Sequence, residues 1–376
     1  MPPFGAEGGI ATESDALVST SIDGVDLNVI WSEVQQTLAT WNAERDALAS
    51  LLSYSTINTA EAIPQSRSLD HFELASEHGQ PESMRPPAEY ALMGFDFYDY
   101  DKASRWTRFA LRDSTHEQIL ATLNYALEAD NRLVNSAILH QIFNDGVRTN
   151  EHGHTVYPLY NGDSMLPPDH LGKRFSTAHT HYLASGGTVI DSGDLELLAK
   201  TVTEHGFGTE PNAQLLALMN PAQAEVVSQW KAGQESASGV VAKHDYIPSQ
   251  GAPAYFSPQE IVGEVAPAAY EKLKIQGSYG NLWVVESDYI PEGYLTVVAT
   301  YGANNPDNCV AVRQHPNAQY QGFRTIPGNS EYPIQDAFYT RAFGTGVRRR
   351  GQAACMQITT ETSYEAPSIY GYVSPV

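Results

Sequence analysis

Two pairs of histidines at i and i+2 are the residues of this chain best suited to chemistry: His152 with His154, and His179 with His181. On a strand, i and i+2 share a face, so each pair offers two imidazoles to one divalent transition metal. Arg348-Arg349-Arg350 is the one dense basic run, suited to phosphate, an acidic partner or another copy of the chain. Arg105, Arg108 and Arg112 form a looser basic group. Carboxylate pairs are too numerous to single out a catalytic couple. Cys309 and Cys355 make no Cys-x-x-Cys pair and read as small buried hydrophobes of a reducing compartment. The sequence has no Gly-x-x-x-x-Gly-Lys-Ser/Thr loop, no Gly-x-Gly-x-x-Gly, no Gly-x-Ser-x-Gly and no His-Glu-x-x-His. These absences argue against nucleotide-driven, Rossmann, serine-hydrolase and zincin chemistry.

Ala178-His179-Thr180-His181, followed by Gly186-Gly187, superficially resembles the first metal-binding strand of amidohydrolases. That chemistry needs an apolar barrel strand before the pair and repeated β/α units after it. The preceding segment is Leu171-Gly172-Lys173-Arg174-Phe175, and no such repeat follows. The histidines therefore read as ordinary hydrogen-bonding residues. No metal, cofactor or catalytic residue is assigned, and a metal-dependent hydrolase using His179 and His181 is kept as the alternative outside structural roles. The arginines read as partners of carboxylates, within the chain or between copies of it.

The elements that must position these residues follow from composition and period. With 376 residues, 42% hydrophobic and 18% charged, the chain has ample material for a core. A net charge of −22 argues against a nucleic-acid reader that neutralises phosphates and against docking on anionic membrane. The N-terminus lacks the pattern of a signal peptide, and no apolar run is long enough to span a bilayer. Residues 1–26, rich in Gly, Ser, Thr and Asp, read as a mobile arm. Asp26 caps a helix predicted to reach about Tyr54, with a narrow apolar seam through Leu27, Trp31, Val34, Leu38, Trp41, Leu48 and Leu52. Extended segments on either side of a Pro/Gly-rich tract at 77–87 predict a long hairpin-like excursion. Phe95, Phe97, Tyr98 and Tyr100 alternate with Asp96, Asp99 and Asp101, as on a strand edge with one wet face. Such an excursion has no core of its own and needs a neighbour. Ser114-Thr115-His116-Glu117 reads as a capping box opening a helix to about Asp145. Strands are predicted at 212–219, 282–285, 294–300, 309–313 and 352–360, and helices at 191–206 and from Pro221 through Trp230. The elements mix without a βαβ rhythm, so the class is α+β.

The order of these parts resembles the major capsid proteins of tailed bacteriophages, the Hong Kong 97-like fold. The local likeness is strongest at the end: Ile290-Pro291-Glu292-Gly293-Tyr294, Val312-Arg313, Tyr332-Pro333-Ile334, Phe343-Gly344 and Val347-Arg348-Arg349-Arg350-Gly351-Gln352-Ala353. Phe175-Ser176 to His181-Tyr182 is similar to segments of actinobacterial-phage members. The resemblance implies a flexible arm (1–26), an N-arm helix and connector (27–65), an extended β-hairpin loop (66–113) and a peripheral domain with a long spine helix (114–189). An axial domain (190–325) and a return to the peripheral domain with a C-terminal tail (326–376) complete it. The implied function is self-assembly as pentamers and hexamers into an icosahedral head around double-stranded DNA, without sequence-specific contacts to it. Expected partners are further copies of the chain, scaffold, portal and decoration proteins, and no membrane. The expected location is the virion, after assembly in the host cytoplasm. An encapsulin-type compartment is the alternative within the fold. Expected subunit contacts are Trp31, Leu38, Trp41, Phe72, Phe95, Phe97, Arg105, Arg108, Arg348, Arg349 and Arg350. Some members cross-link an extended-loop lysine to a neighbour; Lys102, near the base, is the only lysine of the excursion, so no such bond is expected. The short segment before the first helix implies a separate scaffold or none.

Overall fold

The computed structural model describes residues 18–44, 46–64, 72, 74–75, 77, 79–80, 83, 90–237, 239–251, 265–331 and 334–373. Most of the expected arm and most of the 65–89 tract lie outside the described residues. The Asp26 carboxylate accepts the Asn28 N–H at 2.7 Å and opens α1 (Leu27–Ala43). The helix does not run on to Tyr54: Asp46 accepts the Leu48 N–H and starts a second helix, α2 (Ala47–Leu52), which turns into β1 (Ser53–Thr56). A second aspartate cap inside an otherwise continuous apolar seam was the local signal for this break.

The chain continues through β2 (Ala60–Pro64), β3 (Tyr90–Gly94), β4 (Tyr98–Thr107) and the short α3 (Arg108–Asp113) to the long α4 (His116–Phe143). At 28 residues, α4 is ~42 Å long. Its capping box sits one residue later than expected: the Thr115 N–H donates to Gln118 Oε1 and the Gln118 N–H to Thr115 Oγ1. The Ser114 hydroxyl is taken by the Ala110 carbonyl. Then follow β5 (Arg148–Thr149), β6 (Thr155–Val156), β7 (Tyr182–Ala184), α5 (Ser192–Thr203), β8 (Gln214–Met219) and α6 (Pro221–Val227). The short strands β9 (Glu235–Ala237), β10 (Val240–Val241), β11 (Tyr246–Pro248), β12 (Ala269–Tyr270), β13 (Leu273–Lys274) and β14 (Gly277–Tyr279) come next. The last strands are β15 (Leu282–Glu286), β16 (Tyr294–Thr300), β17 (Val310–Gln314), β18 (Phe323–Glu331), β19 (Ile334–Val347) and β20 (Ala353–Gln357).

The chain divides into two compact units. The first comprises Met1–Arg45, Asp99–Arg132 and His315–Ala342; the second comprises Asp46–Tyr98, Leu133–Gln314 and Phe343–Val376. In the second, a seven-stranded mixed sheet runs β11-β14-β15-β8-β16-β20-β7. β8 is central, parallel to β15 and antiparallel to β16, and Leu215 to Met219 are buried on both faces. This explains why its sequence is a continuous apolar run rather than an alternation. The capping box of α5 is complete between Asp191 and Asp194, and Leu195, Leu198 and Val202 form its buried stripe. Asn220-Pro221, which the sequence marks as the break after the strand, also opens α6: Asn220 caps it and Pro221 sits in its first turn. That helix stops at Val227, short of Trp230, which instead packs edge-on to Tyr279 at 5.3 Å in the core. Both cysteines are free and buried. In the first unit, α1 lays Val34 and Leu38 against Leu123, Ala126 and Leu127 of α4, closed by Phe323 and Tyr339. β18 and β19, absent from the sequence-based expectation, pair from Phe323↔Arg341 onwards. Their Gly, Thr and Arg content hides the strand period. Among the described residues, no helix is long and apolar enough to cross a membrane.

Candidate functional site

β2 and β3 are the legs of the excursion, paired antiparallel from Ala60↔Gly94 to Pro64↔Tyr90. Where the chain leaves β3 it is pinned. Phe95 is fully buried with Tyr54 and Ala311, and the Asp96 N–H donates to the Thr345 carbonyl at 3.1 Å. Gly344 makes this approach possible, because a Cβ there would lie 1.7 Å from the Asp96 carbonyl oxygen. Three arginines hold the same root. Arg313 Nη1 donates to the Phe95 carbonyl at 3.1 Å, pairs with Glu151 at 2.7 Å and lies 5.0 Å over the Phe97 ring. Arg148 pairs with the buried Asp96 at 2.7 Å. Burial raises the Asp96 carboxyl, and the Arg148 guanidinium pulls it back down. Arg348 pairs with Glu61 of β2 at 2.9 Å and donates to the Pro306 carbonyl. Neither Arg148 nor Arg313 stands out in the sequence as a candidate: each is a lone basic residue beside a strand, and its partners are distant in the chain.

The arginine run turns inward. Arg349 pairs with Asp307. Arg350 is 1% exposed; it donates to both carboxylate oxygens of Asp163, at 2.8 and 2.5 Å, and to the carbonyls of Pro158 and Met165. A fork with this many acceptors can be buried as a cation. It borders a cleft of about 180 Å³ that His170 and Phe207 also line. Within the chain, all three arginines of the run pair with carboxylates.

In the first unit, the seam of α1 is likewise used within the chain. Leu38 is buried, and the Trp41 Nε1–H donates to Asp130 Oδ2 at 2.9 Å, an oxygen that also accepts from Arg341. Asn42 exchanges two hydrogen bonds of 2.8 Å with the backbone of Phe323. Trp31 remains 38% exposed. Arg105, exposed on β4, lies 3.4 Å from Asp336, and Arg108 is half-buried at the start of α3. The expectation of outward contacts at Leu38, Phe95 and Arg350 thus meets three side chains buried in their own units: two are apolar core and one is a satisfied buried cation. Phe72 and Leu74, on the excursion, are fully exposed, and Tyr90 and Leu92 on β3 are half-exposed.

The histidine pairs separate. His152 faces Glu151 at 3.3 Å, with its ring centroid 6.5 Å from that of His154. His179 and His181 lie on the loop before β7 and are joined by His205, just past the end of α5. His205 lay outside both i,i+2 pairs and could be found only through the fold.

No family model and no curated protein matches the chain. Among solved structures, a chain from Mycobacterium phage Patience aligns with a TM-score of 0.72 and 37% identity, covering 97% of this chain and 98% of that one. The capsid of an empty GTA particle aligns at TM-score 0.47 and 12% identity, covering 84% and 91%. The holo-SrpI encapsulin complex from Synechococcus elongatus aligns at 0.44 and 10%, covering 85% and 89%. Neither of these two is near enough to bear on this chain. The fold is that of a virus-shell subunit, mixed α+β with a long helix and an excursion rooted against β17 and β19. The chain belongs to the Hong Kong 97-like family of tailed-bacteriophage major capsid proteins, structural proteins of the virion shell.

Proposed function

We propose that this protein is the major subunit of an icosahedral head, assembling as pentamers and hexamers around double-stranded DNA and performing no catalytic step. One observation carries the reading beyond family membership. The excursion is fastened at its root by Arg148, Arg313 and Arg348, yet beyond the root it presents Phe72 and Leu74 to solvent, with Tyr90 and Leu92 half-exposed beside them. A rigidly rooted hairpin with bare apolar side chains is built to bury them on another surface. We assign that surface to the adjacent subunit, with Trp31 and Arg105 as further outward contacts. Arg348, Arg349 and Arg350 act by holding the protomer in shape. The −22 charge fits a shell that encloses DNA by confinement, without gripping phosphates. Assembly in the host cytoplasm, and scaffold, portal and decoration partners, belong to the same proposal.

The test is negative-stain electron microscopy with light scattering on the purified full-length protein, alone and co-expressed with the scaffold gene of the same phage. Shells, capsomer rings or tubes are expected in at least one condition. Monomers in both would refute the reading.

A further inference from the structure

His179 and His181, ahead of β7, and His205, one residue past the Glu204 cap of α5, place their ring nitrogens within 4.8 Å of one another. The ring centroids are 4.8, 4.6 and 5.3 Å apart. His181 is fully buried and His205 is 4% exposed, while His179 is half-buried. His181 Nδ1 lies 2.7 Å from the Ala353 carbonyl, an acceptor, so that nitrogen carries the proton and Nε2 presents a lone pair. Neither that Nε2, nor Nε2 of His179, nor either ring nitrogen of His205 has a hydrogen-bond partner. Buried polar atoms are rarely left unpaired, and four on three converging rings need an explanation. Glu204 Oε1 stands 3.4 Å from His179 Nδ1 and 3.9 Å from His205 Nε2. Phe175 stacks flat on His205, 3.6 Å between centroids, and fixes its plane.

We propose that His179, His181 and His205, completed by Glu204, form a structural site for one divalent transition-metal ion, zinc first among them. Three neutral imidazoles and a carboxylate suit zinc in number and hardness. A Zn–N bond of ~2.0–2.1 Å in a tetrahedron sets nitrogens ~3.3 Å apart, so the rings close by roughly 1.5 Å at most on loading. The backbone acceptor on His181 Nδ1 is the usual outer partner of a zinc-bound histidine. A fourth protein ligand leaves no open position for substrate, which makes the site a clip and not a hydrolytic centre. The ion ties the loop before β7 to the end of α5 and, through Ala353, to β20. Metal binding is read on the free chain, so the test does not depend on shell formation.

The experiment uses the full-length chain, stripped with EDTA and titrated with zinc alone against a chromogenic chelator, with bound metal counted after desalting. One zinc per chain is expected, together with a raised thermal midpoint. Cobalt in the same site should give the visible bands of a tetrahedral nitrogen–oxygen set. His179→Ala, at the half-buried ligand and therefore the variant most compatible with folding, should weaken zinc at least tenfold with an unchanged circular dichroism spectrum. His152→Ala should change nothing. Should His179→Ala not fold, the cobalt spectrum of the unaltered chain decides. Zinc that does not survive desalting, equal affinity in the original chain and His179→Ala, or an octahedral cobalt spectrum would each overturn the proposal.

Discussion

Arg350→Met removes the most deeply buried cation among the described residues while keeping much of its volume. The guanidinium is 1% exposed and satisfies Asp163 and two carbonyls, so the variant leaves the partly buried Asp163 carboxylate and the Pro158 and Met165 carbonyls without their donor. Breaking a buried pair from one side typically costs ~3–5 kcal/mol, mostly the uncompensated partner. In urea, with a slope of ~3 kcal/mol per molar, the midpoint should fall by roughly 1–1.7 M. The assay is urea unfolding of unassembled subunits followed by tryptophan fluorescence and circular dichroism. Asp163→Asn alone should cost less, because Arg350 keeps its carbonyl acceptors. The double variant should recover about 0.5–3 kcal/mol relative to the sum of the two, since neither charge is then left bare. A midpoint within about 0.2 M of the unaltered protein, or strict additivity, would refute the inward assignment of Arg350 and return it to the surface.

Phe72→Ala/Leu74→Ala should leave the urea midpoint of the free subunit unchanged, because both side chains are bare in the protomer, yet sharply reduce shell yield by electron microscopy. Trp41→Phe deletes the donor to Asp130 and should lower stability by about 1.5–3 kcal/mol in the same denaturation assay, as for a hydrogen bond to a charged acceptor. Burial pushes the Asp194 carboxyl up to about 6 from an ordinary 3.8, so the folded chain holds a proton that the unfolded chain has released. Stability from this group is therefore lost as pH rises between about 4 and 6, of the order of 3 kcal/mol in all, and Asp194→Asn should flatten that slope in unfolding measured across the window.

Local chemistry was legible where one element decides it. Asp26 caps the helix that the sequence assigns to it, helices begin next to Asp191 and after Asn220 as read, and the apolar run at 214–219 is a doubly buried strand. Of the excursion legs, β3 was visible after the Pro/Gly tract, whereas β2 was not, because residues 55–71 show no clear period. The break before Asp46 was harder, since one apolar seam runs through both helices. β18 and β19 were invisible because their residues earn strand status from register with each other and not from side-chain period. The site was harder still. Arg148 and Arg313 matter through Asp96 and the Phe95 carbonyl, and His205 through His179 and His181, pairings that only the folded chain creates. Leu38, Phe95 and Arg350 carry residue types common at interfaces, but a type says nothing of the direction a side chain takes. Family membership was legible in the order of parts, because order survives where individual motifs drift.

The most direct test is a cryo-electron microscopy reconstruction of particles formed by the full-length protein with its scaffold. The account requires a closed shell of pentamers and hexamers in which the excursion buries Phe72 and Leu74 on an adjacent subunit. A closed shell in which those two side chains stay in solvent, or a preparation that never proceeds beyond single subunits, would contradict it.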